Sequence, residues 1–260
     1  MTTLSIDQQR EELSSALLEE DVTEALWCFV DSGLADVVVP ELPGLRLEQD
    51  PIHKHKDVLT HTIAVTSKTP IDLKIRLAAL FHDIGKPQTR SFEHGGVTFR
   101  HHEAVGAKMT KKRLRALEYP TDVVKDVAEL VRLSGRFKGY ADGWGDSAVR
   151  RYARDAGPLL GSLNVLVRCD CTTRNNRKRI ELHHHVDELE GRIAELAEAD
   201  RQAAERPLLD GQAVMDLLGL EPGPPVGKAM AFLLALKREE PGLDGEATVA
   251  RLERWHDVQT

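Results

Sequence analysis

LAALFHDIGK, residues 77–86, is the stretch on which the reading of this 260-residue chain turns. Leu73, Leu77, Leu80 and Ile84 recur at helical spacing, which predicts a core-packed helix that carries a His82-Asp83 pair to the core's edge and stops at Gly85. An ionised carboxylate beside an imidazole is costly in that position unless something compensates it, so the pair asks for a cation. A solvated helix end would account for the dipeptide taken alone.

Two further segments weigh against that plainer explanation. In DVLTHTIAV, Val58, His61 and Val65 fall at i, i+3 and i+7, so His61 faces inward. In LNVLVRCDCTTRN, Leu163, Val167, Asp170 and Arg174 share one helical face, which sets another carboxylate on an apolar stripe. A single inward histidine is more often a satisfied core residue than a ligand. Inward polar groups on three separate helices are rarer. His61, His82, Asp83 and Asp170 match a set of two imidazoles and two carboxylates for one divalent ion, with Mn, Ni, Co, Mg and Zn all admissible.

The order His61, His82-Asp83, Asp170 resembles the HD superfamily of metal-dependent phosphohydrolases, whose typical core wording is HDIGK. GLADVVVPEL, HKHKDVLTHT, RLAALFHDIGKPQTR, GGVTFRHHEAVGAKM, DSAVRRYARDAG and DCTTRNNRK are similar to the C-terminal half of bacterial CCA-adding tRNA nucleotidyltransferases that carry an HD domain. That resemblance runs over nearly the whole chain. The nucleotidyltransferase head is not seen: no Gly-Ser motif followed by an Asp-x-Asp pair occurs. The resemblance implies a 2′,3′-cyclic phosphate or a 2′-phosphate as substrate, on a nucleotide or at an RNA end, in RNA end healing.

Composition sets wide bounds. The chain is 41% apolar and 30% charged, an ordinary globular balance, and its net charge of -7 argues against bulk electrostatic wrapping of nucleic acid. Cys28, Cys169 and Cys171 make no even disulfide framework, and no secretory leader or apolar run long enough to span a bilayer is seen, so the expected location is the cytoplasm. Cys169 and Cys171 bracket Asp170 and, on a helix, would project away from its face as buried thiols.

The fold class expected is all-α: an HD-domain helical bundle at 49–200, preceded by a neck-like helical lead at 1–48 and followed by a helical tail at 201–260. In the lead, Ser5 and Gln8 make a capping box and Gly33 ends a second helix, while VVVPEL is too short and Pro-interrupted for a sheet. In the bundle, Gly95-Gly96 make a turn before a helix that begins near His102 and carries Lys108, Lys111, Lys112, Arg113 and Arg115, either a solvated face or a phosphate-backbone patch. Asp146 or Ser147 caps the helix bearing Arg150, Arg151 and Arg154, which suit phosphate recognition or a salt-bridged surface equally. His183, His184 and His185 fan around their helix and read as solvated. The tail reads as a helical hairpin, with Gly227-Lys228 at a helix start able to hold a phosphate.

On this reading Asp83 both ligates the ion and orients a water, Lys86 and Arg174 neutralise charge on the phosphorane-like transition state, and one of His101 and His102 borders the site. Ser134 stands where family members typically carry a histidine, which implies a single-ion centre with His102 free to act as a general acid. His101, Arg150, Arg151 and Arg174 are the expected substrate contacts. A hydrolase of free mononucleotides or alarmones, and a non-catalytic tRNA-binding fragment, are the rival readings.

Overall fold

The computed structural model describes residues 4–47, 57–93, 96–173 and 175–259. Ser5 opens α1 (Ile6–Leu18): its hydroxyl accepts from the Gln8 amide while the Gln8 side chain accepts from the Ser5 amide, the reciprocal cap that the spacing predicts. Asp21 caps α2 (Val22–Asp31), and Gly33, in the left-handed region at φ 80°, turns the chain into the short α3 (Leu34–Val38). VVVPEL therefore closes a helix.

Asp57 accepts from the Thr60 amide to start α4 (Val58–Thr66), and Asp72 accepts from the Ile75 amide to start α5 (Leu73–Phe81). Every residue of α5 from Ile75 to Phe81 is buried, as befits a helix apolar all round, and α1, α4, α7 (His102–Ala116), α8 (Thr121–Leu133) and α10 (Leu160–Asp170) pack around it. Buried Arg76 donates to the Leu17 and Glu19 carbonyls, satisfying the last turn of α1 and fastening the lead to the central helix.

The sequence expectation of one helix running to Gly85 is corrected here. Pro87 lies in the first turn of α6 (Lys86–Thr89); a proline carries no amide hydrogen and clashes with the carbonyl four residues back, so α5 cannot run through it. The chain instead tightens after Phe81, with Ile84 donating to Phe81 and Lys86 to Asp83, and His82 and Asp83 lie in that turn. A second departure is a small antiparallel hairpin, β1 (Ser91–Glu93) with β2 (Gly96–Thr98), in which Phe92 faces Val97. The fold is otherwise all-α.

α7 and α8 form a tightly packed pair, followed by α9 (Asp146–Ala156). The cap of α9 is the Gly145 backbone rather than Asp146 or Ser147, because the Asp146 carboxylate is taken by Arg192. Packing divides the chain into two compact units, 1–193 and 194–260, with the boundary inside α11 (Asn176–Ala204). In α11, Val186 and Leu189 are buried.

The second unit contains α12 (Gly211–Leu218), α13 (Pro224–Glu239) and α14 (Gly245–Gln259). Val214, Ala229, Leu233 and Leu252 make its core, with Phe232 and Trp255 stacked 4.9 Å apart between centroids. The expected hairpin is thus a three-helix unit, because Leu252 and Trp255 of α14 cover the apolar face that two helices leave open. No described helix is long and apolar enough to cross a membrane.

Candidate metal centre

His61 projects from the middle of α4, His82 and Asp83 from the turn after α5, and Asp170 from the last residue of α10. Their donor atoms converge. His61 Nε2 lies 3.0 Å from Asp170 Oδ1 and 3.6 Å from Asp83 Oδ2; His82 Nε2 lies 3.2 Å from Asp83 Oδ2 and 3.6 Å from Asp170 Oδ1. The two Nε2 atoms are 3.3 Å apart. Atoms bound to one ion at 2.0–2.2 Å in tetrahedral or octahedral geometry stand about 2.8–3.6 Å from one another. Every one of those separations falls in that window.

The backs of the two rings are held by protein. His82 Nδ1 donates to the Ala79 carbonyl at 2.6 Å, which leaves Nε2 as a lone-pair donor, and Thr172 Oγ1 stands 3.0 Å from His61 Nδ1. Two imidazole nitrogens and two carboxylates crowded into a buried site repel unless a positive charge sits among them. Burial pushes the His82 imidazole down, but the Asp83 charge and the hydrogen bond with Asp170 outweigh it and raise it to about 10. Burial pushes both carboxyls up, yet the His82 charge and the His102 hydrogen bond hold Asp83 well below the usual carboxylate range. Hydrogen bonds from His61 and His82 do the same for Asp170. All three shifts have one physical cause: positive charge is favoured among these carboxylates. Among the described residues, His61, His82 and Asp83 form the cluster able to hold an ion, and Asp170 reaches both imidazoles from outside it.

Lys86 is buried and its Nζ stands 2.7 Å from Asp83 Oδ2 and 5.5 Å from the Phe99 ring centre. His102 is buried at the start of α7; Nδ1 donates to the Phe99 carbonyl, and Nε2 faces Asp83 Oδ1 at 3.4 Å. This approach depends on Gly85. A Cβ there would lie 2.2 Å from the His102 carbonyl oxygen and 2.7 Å from the Gly106 amide nitrogen, so the bare backbone at Gly85 lets α7 close on the turn.

His101 is exposed, with a left-handed φ of 61°, so His102 is the member of the pair that borders the cluster. Arg150 is half-buried and Arg151 exposed on α9, while polar contacts to the four ligand candidates come, among the described residues, from the Ala79 carbonyl, Thr172, Lys86 and His102. The expected role of Arg174 lies outside the described residues. The premise for it changes, since α10 ends at Asp170 and Cys171 is extended, so no helical face continues past Asp170. For the same reason Cys171 does not project from a helix; its carbonyl accepts from Lys68, while the buried Cys169 thiol donates to the Lys68 carbonyl.

In the basic run of α7, Arg113 is held by both oxygens of Glu41 and drops out of any free patch. Ser134 donates to the Val131 carbonyl, and Glu103, one residue past His102, fills the space beside Gly135 with Oε1 3.5 Å from His102 Nε2. Thr172 and Glu103 were not anticipated. Their only signals are their places next to Asp170 and His102.

The HD domain profile matches residues 58–200, which spans all four ligand candidates and His102. The chain is 33% identical over 258 residues to the A-adding tRNA nucleotidyltransferase of Deinococcus radiodurans, an alignment covering 96% of this chain and 58% of that protein. It is 35% identical over 243 residues to the CC-adding tRNA nucleotidyltransferase of Thermus thermophilus, covering 90% of this chain and 53% of that one. The multifunctional CCA protein of Pseudomonas fluorescens is 28% identical over 229 residues, with 81% of this chain and 52% of that protein aligned. The chain spans about half the length of the curated relatives it matches.

Proposed function

The chain belongs to the HD domain family, and on that premise we propose that it is a metal-dependent phosphohydrolase acting on a 2′,3′-cyclic phosphate or a 2′-phosphate, on nucleotides or at RNA ends. The observation that carries the reading is the convergence of His61, His82 and Asp83, with Asp170 reaching both imidazoles and each imidazole backed by a polar partner. The link to RNA comes from the relatives, whose names are those of tRNA nucleotidyltransferases.

Those four side chains would hold the ion, which when bound supplies a Lewis acid for a phosphoryl oxygen and acidifies a water. The rest of the work falls to the protein. Asp83 divides its oxygens, Oδ2 among the ligand atoms and Oδ1 toward His102, so a water hydrogen-bonded at Oδ1 would be aimed from a fixed carboxylate. Lys86 fixes that carboxylate by its ion pair, and its charge lies close enough to offset charge growing on a transferred phosphoryl group. His102, its Nδ1 tied to Phe99, presents Nε2 for proton transfer to the leaving oxygen. The turn that carries Asp83 is almost fully enclosed and the Asp170 side chain is 34% exposed, so substrate enters on the Asp170 side.

The test is a panel of 2′,3′-cyclic nucleotides, 2′-nucleotides, cyclic-ended oligoribonucleotides, mononucleotides and alarmones, each with Mn²⁺, Ni²⁺, Co²⁺, Mg²⁺ and Zn²⁺. Turnover confined to the cyclic and 2′-phosphates supports the reading. Turnover confined to 5′-mononucleotides or alarmones would replace the substrate.

A further inference from the structure

On the same edge of the first unit lies a cavity of about 710 Å³ whose lining includes Lys68, Arg168, Arg179, Ile180 and His183, with one carboxylate, Asp187, on the same wall. Its volume is that of a small-molecule site. Cys169 and Cys171 bracket Asp170, so the cavity wall begins one residue, about 3.8 Å of chain, from the exposed member of the ligand cluster.

The lining has the chemistry of a nucleotide site. Arg168 gives Nη2 to Asp187 at 2.7 Å and to Glu190 at 2.8 Å, so its charge is already balanced. Arg179 is different: its Nη2 donates to the neutral Asn176 side chain, and among the described residues no carboxylate is paired with it. Lys68 Nζ donates to the Cys171 carbonyl, tying a second cation to the wall beside Asp170. His183 and His184 add donors from α11, and Ile180 offers one exposed apolar side chain on the same wall. Cations on one side and an apolar patch on the other fit a phosphate with its base.

We propose that this cavity binds the nucleotide adjoining the reacting phosphate, so that the protein prefers oligoribonucleotide ends to free mononucleotides. The proposal rests on the reading of the His-Asp cluster as a phosphohydrolase centre. Arg179 and Lys68 hold the flanking phosphodiester, Ile180 underlies the base, and the terminal phosphate then lies over Asp170. Such a site needs no strong overall positive charge, which accords with a chain of net charge -7.

Two arms test it. In the first, kcat/KM is measured for adenosine 2′,3′-cyclic phosphate and for a triribonucleotide ending in the same cyclic phosphate. The wild type favours the trinucleotide, and Arg179→Glu and His183→Glu lower the trinucleotide-to-mononucleotide ratio about tenfold. In the second, a fluorescein-labelled triribonucleotide is titrated into the His82→Ala chain, whose cluster is broken, and adding Arg179→Glu weakens binding at least fivefold. Both substitutions are on exposed positions of α11, and an unchanged melting temperature confirms folding. An unchanged ratio, or binding indifferent to Arg179, overturns the subsite. If the wild type cleaves neither substrate the phosphohydrolase reading falls, and the binding arm still decides whether the cavity holds nucleotides.

Discussion

Gly85→Ala is the sharpest perturbation the structure offers. The φ of Gly85 is -82°, open to any residue, so the penalty is purely one of space. The added Cβ would meet the His102 carbonyl oxygen at 2.2 Å and the Gly106 amide nitrogen at 2.7 Å. Both are backbone atoms of α7 and cannot rotate away. Restoring a tolerable contact requires α7 to retreat by roughly 1 Å, an overpacking that costs about 1–3 kcal/mol. For a cooperative unit of this size that is roughly 2–12 °C in melting temperature. The same retreat draws His102 away from Asp83 Oδ1, now 3.4 Å off, and a displacement near 1 Å at a reacting group costs about 10²-fold in rate. Gly106→Ala is the control: its Cβ would lie 3.4 Å or more from every neighbour, and alanine gains up to about 1 kcal/mol in a helix interior. Melting by circular dichroism and initial hydrolysis rates read both variants. A Gly85→Ala protein as stable and active as the wild type, or a Gly106→Ala protein equally damaged, would refute the close-approach argument.

Three other outcomes are expected. Thr172→Val removes the partner behind His61 Nδ1 and should weaken Mn²⁺ binding about 10–100-fold by calorimetric titration; a change under twofold would discount that contact. A double-mutant cycle over Glu41→Ala and Arg113→Ala should show a coupling of about 1 kcal/mol in urea unfolding, because the pair is two-pronged and mostly covered; no coupling would return Arg113 to the free basic face. Elemental analysis should find one ion per chain, rising toward two in Ser134→His, because Ser134 spends its hydroxyl on Val131; two ions in the wild type would refute a single-ion centre.

Much of this was legible because it is local. The apolar run through Leu77 and Leu80, the inward spacing of His61 and the Ser5-Gln8 cap each depend on residues within two turns of one another, and each is found in the structure. The convergence of His61, His82, Asp83 and Asp170 could be suspected only because several costly inward polar groups require a common partner. What the sequence hid is where helices end and what distant segments supply. Apolar spacing carries Ile84 in register with Leu77 and Leu80, so periodicity alone extends α5 through His82 and Asp83, and only Pro87 marks the turn that holds them. The hairpin strands are three residues each, too short for an alternating pattern to register. Arg113 looked like its neighbours because Glu41 lies far away in the chain. Leu252 and Trp255 stand at helical spacing in α14, a signal too sparse to announce a third packed helix.

The proposed role of His61, His82, Asp83 and Asp170 is to form a hydrolytic metal centre. Its most direct test is the initial rate of ring opening of adenosine 2′,3′-cyclic phosphate by the chelator-stripped chain, before and after reloading with Mn²⁺, Ni²⁺ or Co²⁺, beside His82→Ala and Asp83→Ala. The account predicts no turnover when stripped, turnover restored by at least one of these ions in the wild type, and none in either folded variant. Turnover that survives stripping, or that persists in both variants, would contradict it.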